Sequence, residues 1–356
     1  MFLICFALIT FATTVTGCSD FQLKTKSGSL MCGRNMDFIM PMKSQILVFN
    51  RGTNMSSQAP DGSSGLQWTT KYGFVGVNAF GINLVDEGMN ERRLTCGFLV
   101  MNDTIYPQVN PDRKNMSMAI MDLCMWVLGN FENVDEVVDN LVLLEIWGNK
   151  LPVLNVVMGL HVPIHDAYGN NIVIEFMHGK MQIYDNVLGV LTNEPPLPVQ
   201  MNNLAQYMYL SPNITQQTTI NGETITNAPN SGLHGLPGGW SPMDRFVRMA
   251  TLLRFVSETD NGLLTATNIL NSVSVTDGME IGYYPPLNKY VSGLTRWSTI
   301  KDLTNGVFYF RNGDGLIKAI NLKKLNFASG TNHHTLPIHH DKPFIMDVTH
   351  LLTLTF

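Results

Sequence analysis

The stretch "TTVTGCSDFQLKTKSGSLMCGRNMDF", residues 13–38, gathers a cysteine, an arginine and a carboxylate within one short segment. Apolar and polar residues alternate on both sides of Ser27-Gly28, the pattern of a β-hairpin. Such a hairpin lays "GRNMD" next to Cys18. Val15 and Gly17 are small and stand three and one positions before Cys18, where a signal peptidase reads a chain, although no Lys or Arg precedes the apolar run. Removal of residues 1–17 would leave a thiol and a free α-amine on the same residue. An α-amine with an ordinary pKa of about 8 can take the thiol proton, so the nucleophile would carry its own base. Arg34 would favour the thiolate, and Asp37 would hydrogen-bond the amine and hold it. Two plainer readings stand beside this one. Cys18 could be an acylated lipoprotein cysteine, although Val15, Thr16 and Gly17 fit a lipobox imperfectly, and Arg34 and Asp37 alone would read as a surface ion pair.

The elements that must position these residues are written in the rest of the chain. Its 356 residues are 45% hydrophobic and 14% charged, with a formal net charge of −5. That is enough apolar material for a sizeable core, with no basic stripe for nucleic acid. After the leader, no run approaches the roughly 20 apolar residues of a membrane span. Strand-like runs follow the hairpin at "SQILVFNRG", "KYGFVGVNAFG" and "NLVDEGMNERRLTCGFLVM". The period then changes to three and four in "NMSMAIMDLCMWVLGNFENVDEVVDNLVLLEI", read as two helices, the second capped by Asn133. Strands return at "NIVIEFMHGKMQIYDNVLGVLTN". A polar loop and the Gly- and Pro-rich "GLHGLPGGWSP" lead to helices at "MDRFVRMATLLRFVSE" and "TATNILNSVSV", and "WSTIKDLTNGVFYFRNGDGLIKAINL" alternates again. This order predicts an α+β chain of two antiparallel sheets with helices segregated outside. No repeat or linker divides it, so 18–356 reads as one domain behind a signal peptide at 1–17.

Four sequons, at Asn54, Asn102, Asn115 and Asn213, imply glycan-bearing surface loops if a eukaryotic cell makes the chain. With the leader they predict a secreted, extracellular or lumenal protein, in a lysosome-like compartment or a periplasm according to the host. Cys32, Cys96 and Cys124 are far apart and form no CxxC pair, so they read as small buried hydrophobes rather than zinc ligands or a disulfide framework. His333-His334 and His339-His340 flank Pro337 in a polar loop without carboxylate or Cys partners at helix spacing, and read as solvated histidines rather than a metal site. The 21 methionines are scattered through apolar runs and read as core filling.

Cys18 with "GRNMDF" starting fifteen residues on resembles the choloylglycine hydrolase family, the bile salt hydrolases and penicillin V acylases among the N-terminal nucleophile hydrolases. "TTKYG" (69–73), "EGMNE" (87–91), "WVLGNF" (126–131), "GVLTN" (189–193) and "GLPGGWSPMDRFVR" (235–248) match blocks of that family in order. The resemblance implies a four-layer αββα sandwich and hydrolysis of linear amides through a thioester on Cys18, with no metal or organic cofactor. It implies Arg34 and Asp37 beside the nucleophile, the side-chain amide of Asn193 in the oxyanion hole, and Arg245 completing the polar site. Met36, Phe38 and the segment after Cys96 are expected as pocket walls. Val100 stands where the family usually has Asn or Tyr, which costs little chemistry if only its backbone N–H is used and alters specificity if its side chain matters. Arg92-Arg93 replaces a more usual Lys-Gly, so that turn is expected to differ. The expected substrate is a small N-acyl amide: a conjugated bile acid, penicillin V, or an N-acyl amine or amino acid. The loop before "GLPG" leaves room for a homo-oligomer, which a glycan on Asn213 would obstruct. Two alternatives remain at this point. One is a catalytically inactive secreted glycoprotein using the fold as a binding module. The other is a lipid-amide hydrolase of the acid ceramidase type, disfavoured because Cys18 falls at the leader boundary and not behind a long propeptide.

Overall fold

The computed structural model describes residues 17–339, apart from 214–216, 227–230, 257–259, 285–287 and 313–314. Strands β1 (Cys18–Lys24) and β2 (Leu30–Phe38) form the expected hairpin, closed by a turn in which Gly28 takes a φ of +87° that favours glycine. There follow β3 (Gln45–Phe49), β4 (Phe74–Val77), β5 (Glu87–Asn90), β6 (Thr95–Gly97) and β7 (Leu99–Val100). Helices α1 (Leu123–Asn130) and α2 (Val134–Leu141) precede β8 (Leu160–His165), β9 (Asn171–Met177), β10 (Lys180–Asp185) and β11 (Val190–Leu191). Helices α3 (Leu197–Leu204), α4 (Pro242–Phe255) and α5 (Gly262–Val273) lead to β12 (Glu280–Tyr284), β13 (Lys289–Asp302), β14 (Val307–Asn312), β15 (Lys318–Asn321) and β16 (Leu336–Pro337).

Two large antiparallel sheets result. One runs β11-β1-β2-β13-β14-β15, with β12 on β13; the other runs β10-β9-β8-β6-β5-β4-β3-β16, with β7 on β8. Helices α4 and α5 pack on the first sheet and α1 on the second, giving the αββα layering. β2 is buried along its whole length because β1 and β13 flank it and α5 and the second sheet cover its faces. α1 is apolar on every side and nearly all buried, whereas α2 is amphipathic and starts at Asn133, whose side chain accepts from the Glu136 N–H.

Three sequence expectations change. Cys96 and Cys124 are not separate buried hydrophobes: they form a disulfide, because β6 packs on α1 and their Cα atoms come within 5.4 Å. Cys32 does remain a free, buried cysteine. The long helical run at 115–146 is shorter at both ends, since Ser117–Ala119 and Glu145–Trp147 pair as parallel strands. α3 was hidden by Pro195, Pro196 and Pro198, which look like breakers but sit before the helix or in its first turn, where proline is tolerated.

Candidate active site

The register of the first hairpin sets Cys18 opposite Met36 and Asp20 opposite Arg34, with Trp297 and Thr299 of β13 next in the row. Alternation along each strand turns Cys18, Arg34 and Met36 toward the second sheet. The Cys18 thiol lies 3.8 Å from Arg34 Nη2 and 3.8 Å from the Met36 sulfur. Arg34 is held in turn by Asp86 (3.1 Å) and Glu87 (3.2 Å), which enter from the second sheet. Its guanidinium also faces the Trp297 ring at 5.5 Å. Gly97 is required here, because a Cβ at this position would stand 2.1 Å from Glu87 Oε2.

On the other side, Arg245 of α4 donates to the Cys18 carbonyl, to Ser19 Oγ (2.9 Å) and to Asn193 Oδ1 (2.8 Å). Asn193 Oδ1 also accepts from the Cys18 backbone nitrogen at 2.8 Å, and Asn193 Nδ2 donates to the Val100 carbonyl at 2.7 Å. Gln200 and the loop after β11 lock Asn193 further, with Gln200 Nε2 donating to its carbonyl. Asp37 Oδ1 accepts from Thr295 Oγ1, while its Oδ2 is buried without a hydrogen-bond partner among the described residues. Gly17, joined to Cys18 by a peptide bond, sits against this oxygen: a Cβ on Gly17 would lie 3.3 Å from it and 2.9 Å from Arg245 Nη2. Cys18, Arg34, Asp37, Asn193 and Arg245 are thus brought together, and all are at most 1% exposed.

Burial governs the protonation of this cluster. It pushes the Cys18 thiol up to about 11, with Arg34 pulling it down and Asp37 and Asp86 pushing it up. Burial likewise raises Asp37 to about 7 against the pull of Arg245 and Thr295, and raises Asp86 to about 6 despite Arg34. Beyond the thiol opens an apolar cavity of about 40 Å³, lined by Met36, Phe38, Phe80, Phe98, Val100 and Met121. The expected pocket walls Met36, Phe38 and the segment after Cys96 therefore lie together, with the Val100 side chain among them. The sequence reading did not single out Asp20, Asp86, Glu87, His161, His165, Gln200, Thr295 or Lys301. A usable signal was the pair of histidines in the otherwise apolar "LHVPIH" of β8.

The remaining candidates lie elsewhere. His333 Nε2 meets the Asn326 carbonyl (2.9 Å) and Asn50 Oδ1 (3.1 Å), His339 stands near Asn312, and His340 lies outside the described residues. Among the described residues, no three His, Cys, Asp or Glu side chains gather as a metal-binding group. The asparagines at 54, 102, 115 and 213 are all exposed. Among the described residues no helix is long and apolar enough to cross a membrane.

A buried cysteine on the inner face of a two-sheet sandwich, ringed by Arg, Asp, Asn and Arg, defines an N-terminal nucleophile hydrolase fold. The family of linear amide C–N hydrolases, choloylglycine hydrolase family, matches residues 18–337, so the chain belongs to that family and is a hydrolase of linear amides. It is 29% identical over 320 residues to the bile salt hydrolase/transferase of Clostridium perfringens, covering 87% of this chain and 93% of that one. It is 27% identical over 323 residues to the penicillin V acylase of Pectobacterium atrosepticum, covering 83% and 77%. The crystal structure of a variant of the conjugated bile acid hydrolase from Clostridium perfringens superposes with a TM-score of 0.79 at 27% identity, covering 93% of this chain and 99% of that one.

Proposed function

We propose that the chain is a secreted or lumenal amidase, cut between Gly17 and Cys18 and acting on N-acyl amides with a slim apolar acyl half. The observation that carries this reading is the socket around the Cys18 nitrogen. Asn193 Oδ1 accepts the peptide N–H of the uncut chain there, and Asp37 Oδ2, buried without a hydrogen bond among the described residues, stands against Gly17, the residue whose removal frees that nitrogen. An α-amine has the further N–H that Asp37 Oδ2 lacks. In the uncut chain the thiol keeps its proton at neutral pH. The freed amine takes that proton as Cys18 Sγ attacks the amide carbon, and the carbonyl oxygen becomes an oxyanion. The second N–H of Asn193 Nδ2, the first being given to the Val100 carbonyl, stabilises it; one such donor contributes about 3 kcal/mol. The α-ammonium then protonates the departing amine as the C–N bond breaks. Water, deprotonated by the same amine, hydrolyses the thioester to the free acid and restores the thiol.

The acyl half belongs in the apolar cavity, whose methionines can shift to fit a chain. Each buried methylene is worth about 0.8 kcal/mol, so kcat/KM should rise about fourfold per methylene until the cavity is full. The Cys96–Cys124 disulfide and the four exposed sequon asparagines support an oxidising, secretory compartment. The test is the intact mass and N-terminal sequence of the secreted, deglycosylated protein, followed by a panel of conjugated bile acids, penicillin V and N-acyl amines of graded length. An unmodified Cys18 terminus, with activity lost in Cys18→Ala, is the expected result. A chain that begins elsewhere, or carries an acylated Cys18, defeats the mechanism and brings forward the binding-module reading.

A further inference from the structure

A buried ionic chain runs from the thiol across the space between the two sheets. Arg34 Nη1 meets Glu87 at 3.2 Å, and the other Glu87 oxygen accepts from Lys301 of β13. Lys301 stands 4.0 Å from Asp20 of β1, and Asp20 meets His165 Nε2 at 2.6 Å. His165, the last residue of β8, closes the chain with Nδ1 2.7 Å from Asn171 Oδ1 of β9. The side chains of Arg34, Glu87, Lys301, Asp20 and His165 are each at most 1% exposed, so little solvent screens them.

Two observations set the charge at the far end. Both ring nitrogens of His165 face acceptors. Asn171 Nδ2 donates to the Gly169 carbonyl at 3.2 Å, which turns the amide oxygen, not the nitrogen, toward the ring. A neutral imidazole has one N–H and could serve only one of these acceptors. The charge count agrees: Arg34, Lys301 and a protonated His165 balance Asp86, Glu87 and Asp20. The side-chain groups facing the ring are Asp20 from β1, Asn171 from β9 and, beyond Asp20, Lys301 from β13; Thr95 of β6 touches only the His165 carbonyl.

We propose that His165 is a permanent imidazolium and that its charge, passed through Asp20, Lys301 and Glu87, fixes Arg34 at the Cys18 thiol, making His165 a positioning residue. The route follows from the hairpin register. Asp20 lies directly opposite Arg34, so an Asp20 without its histidine competes for that guanidinium and for Lys301. Glu87, with Lys301 drawn away, pulls Arg34 further from the sulfur. The inference rests on the proposed role of Cys18 and Arg34, and its test separates the two.

The test uses the processed, full-length enzyme. Histidine ¹⁵N spectra should show both His165 nitrogens protonated from pH 5 to 9, and a neutral-tautomer signature at pH 7 overturns the proposal without any variant. His165→Gln should slow iodoacetamide alkylation of Cys18 at pH 7 about tenfold, one unit of thiol pKa, and lower kcat similarly with KM within twofold. Adding Asp20→Asn removes the opposite charge and should restore the alkylation rate, which a merely structural role would not do. Unchanged alkylation in a folded His165→Gln, or no recovery in the double variant, overturns it. Activity surviving in Cys18→Ala would defeat the function proposed above while leaving the histidine spectrum as expected.

Discussion

Cys18 is held between two unlike neighbourhoods. Toward the second sheet, Arg34 is fixed mostly by charges: Asp86, Glu87 and, behind them, Lys301, Asp20 and His165. Toward the helices, Arg245 and Asn193 are fixed mostly by amide and carbonyl groups. Arg245 Nε donates to the Trp240 carbonyl, Gln200 to the Asn193 carbonyl, and His161 Nε2 to the Thr192 carbonyl at 2.9 Å. Charges in a dry interior interact over long distances, so the first side should fail as a unit. Neutral hydrogen bonds act locally, so the second should fail one contact at a time. In the proposed mechanism the thiolate needs a strong field, which the first side would supply, and the amine and the oxyanion need donors and acceptors at set points, which the second would supply.

The largest effect should come from breaking the charged side. Lys301→Met removes the cation that Glu87 and Asp20 share, leaving each with one buried partner, Arg34 or His165; removing one partner of a buried pair costs about 3–5 kcal/mol. Urea unfolding should show that loss, and added salt should not mimic it, because the pair is shielded from solvent. A loss under about 1 kcal/mol would mean the chain tolerates a missing charge and does not act as a unit.

The neutral side should answer in catalysis. Asn193→Ala removes the acceptor at the Cys18 nitrogen and the donor proposed for the oxyanion, and should lower kcat about 10²–10³-fold. A drop in stability with kcat unchanged would make Asn193 a brace for Val100 and Arg245 instead.

The unequal legibility of the two sides has a physical cause. Cys18, Arg34 and Asp37 could be read directly, since a tight hairpin fixes cross-strand neighbours once its turn is located at Ser27-Gly28. The layered α+β order was readable for the same reason, from alternation and its change of period. Asn193 and Arg245 carry no local sign of their role, and only the ordered family blocks pointed to them. The ionic chain left one sign only, the histidines of the otherwise apolar "LHVPIH". Asp20, Glu87, His165 and Lys301 come from four strands of two sheets, and each alone looks like one polar residue in a strand. The Cys96–Cys124 disulfide was missed similarly, because the approach of β6 to α1 is a tertiary fact.

Asp37 lies where the two sides meet, and its titration should report the cut at Gly17. In a chain retaining Gly17, burial raises Asp37 to about 7, well above its ordinary carboxylate value of 3.8. A folded pKa above the unfolded one means stability that is full below about pH 4 and is lost as pH rises toward 7. The cut chain gains an α-ammonium beside Asp37 Oδ2, which should lower that pKa and shrink the loss. Melting temperatures of both chains between pH 4 and 8 test this, with Asp37→Asn expected to flatten the Gly17-retaining profile. Parallel profiles for the cut and uncut chains would place the amine away from Asp37.

The smallest effect tests whether Val100 belongs to both sides at once. Its carbonyl accepts from Asn193 Nδ2, while its side chain lines the apolar cavity. Val100→Ile leaves the carbonyl in place and adds one methylene to the cavity wall. The kcat for a short acyl chain should stay within about twofold, since the Asn193 hydrogen bond is untouched. The best-accepted chain should shorten by one methylene, moving relative kcat/KM about fourfold, the worth of one buried CH₂. If kcat falls for every chain length instead, the Val100 side chain governs the placing of Asn193, and the two neighbourhoods of Cys18 are coupled through this residue.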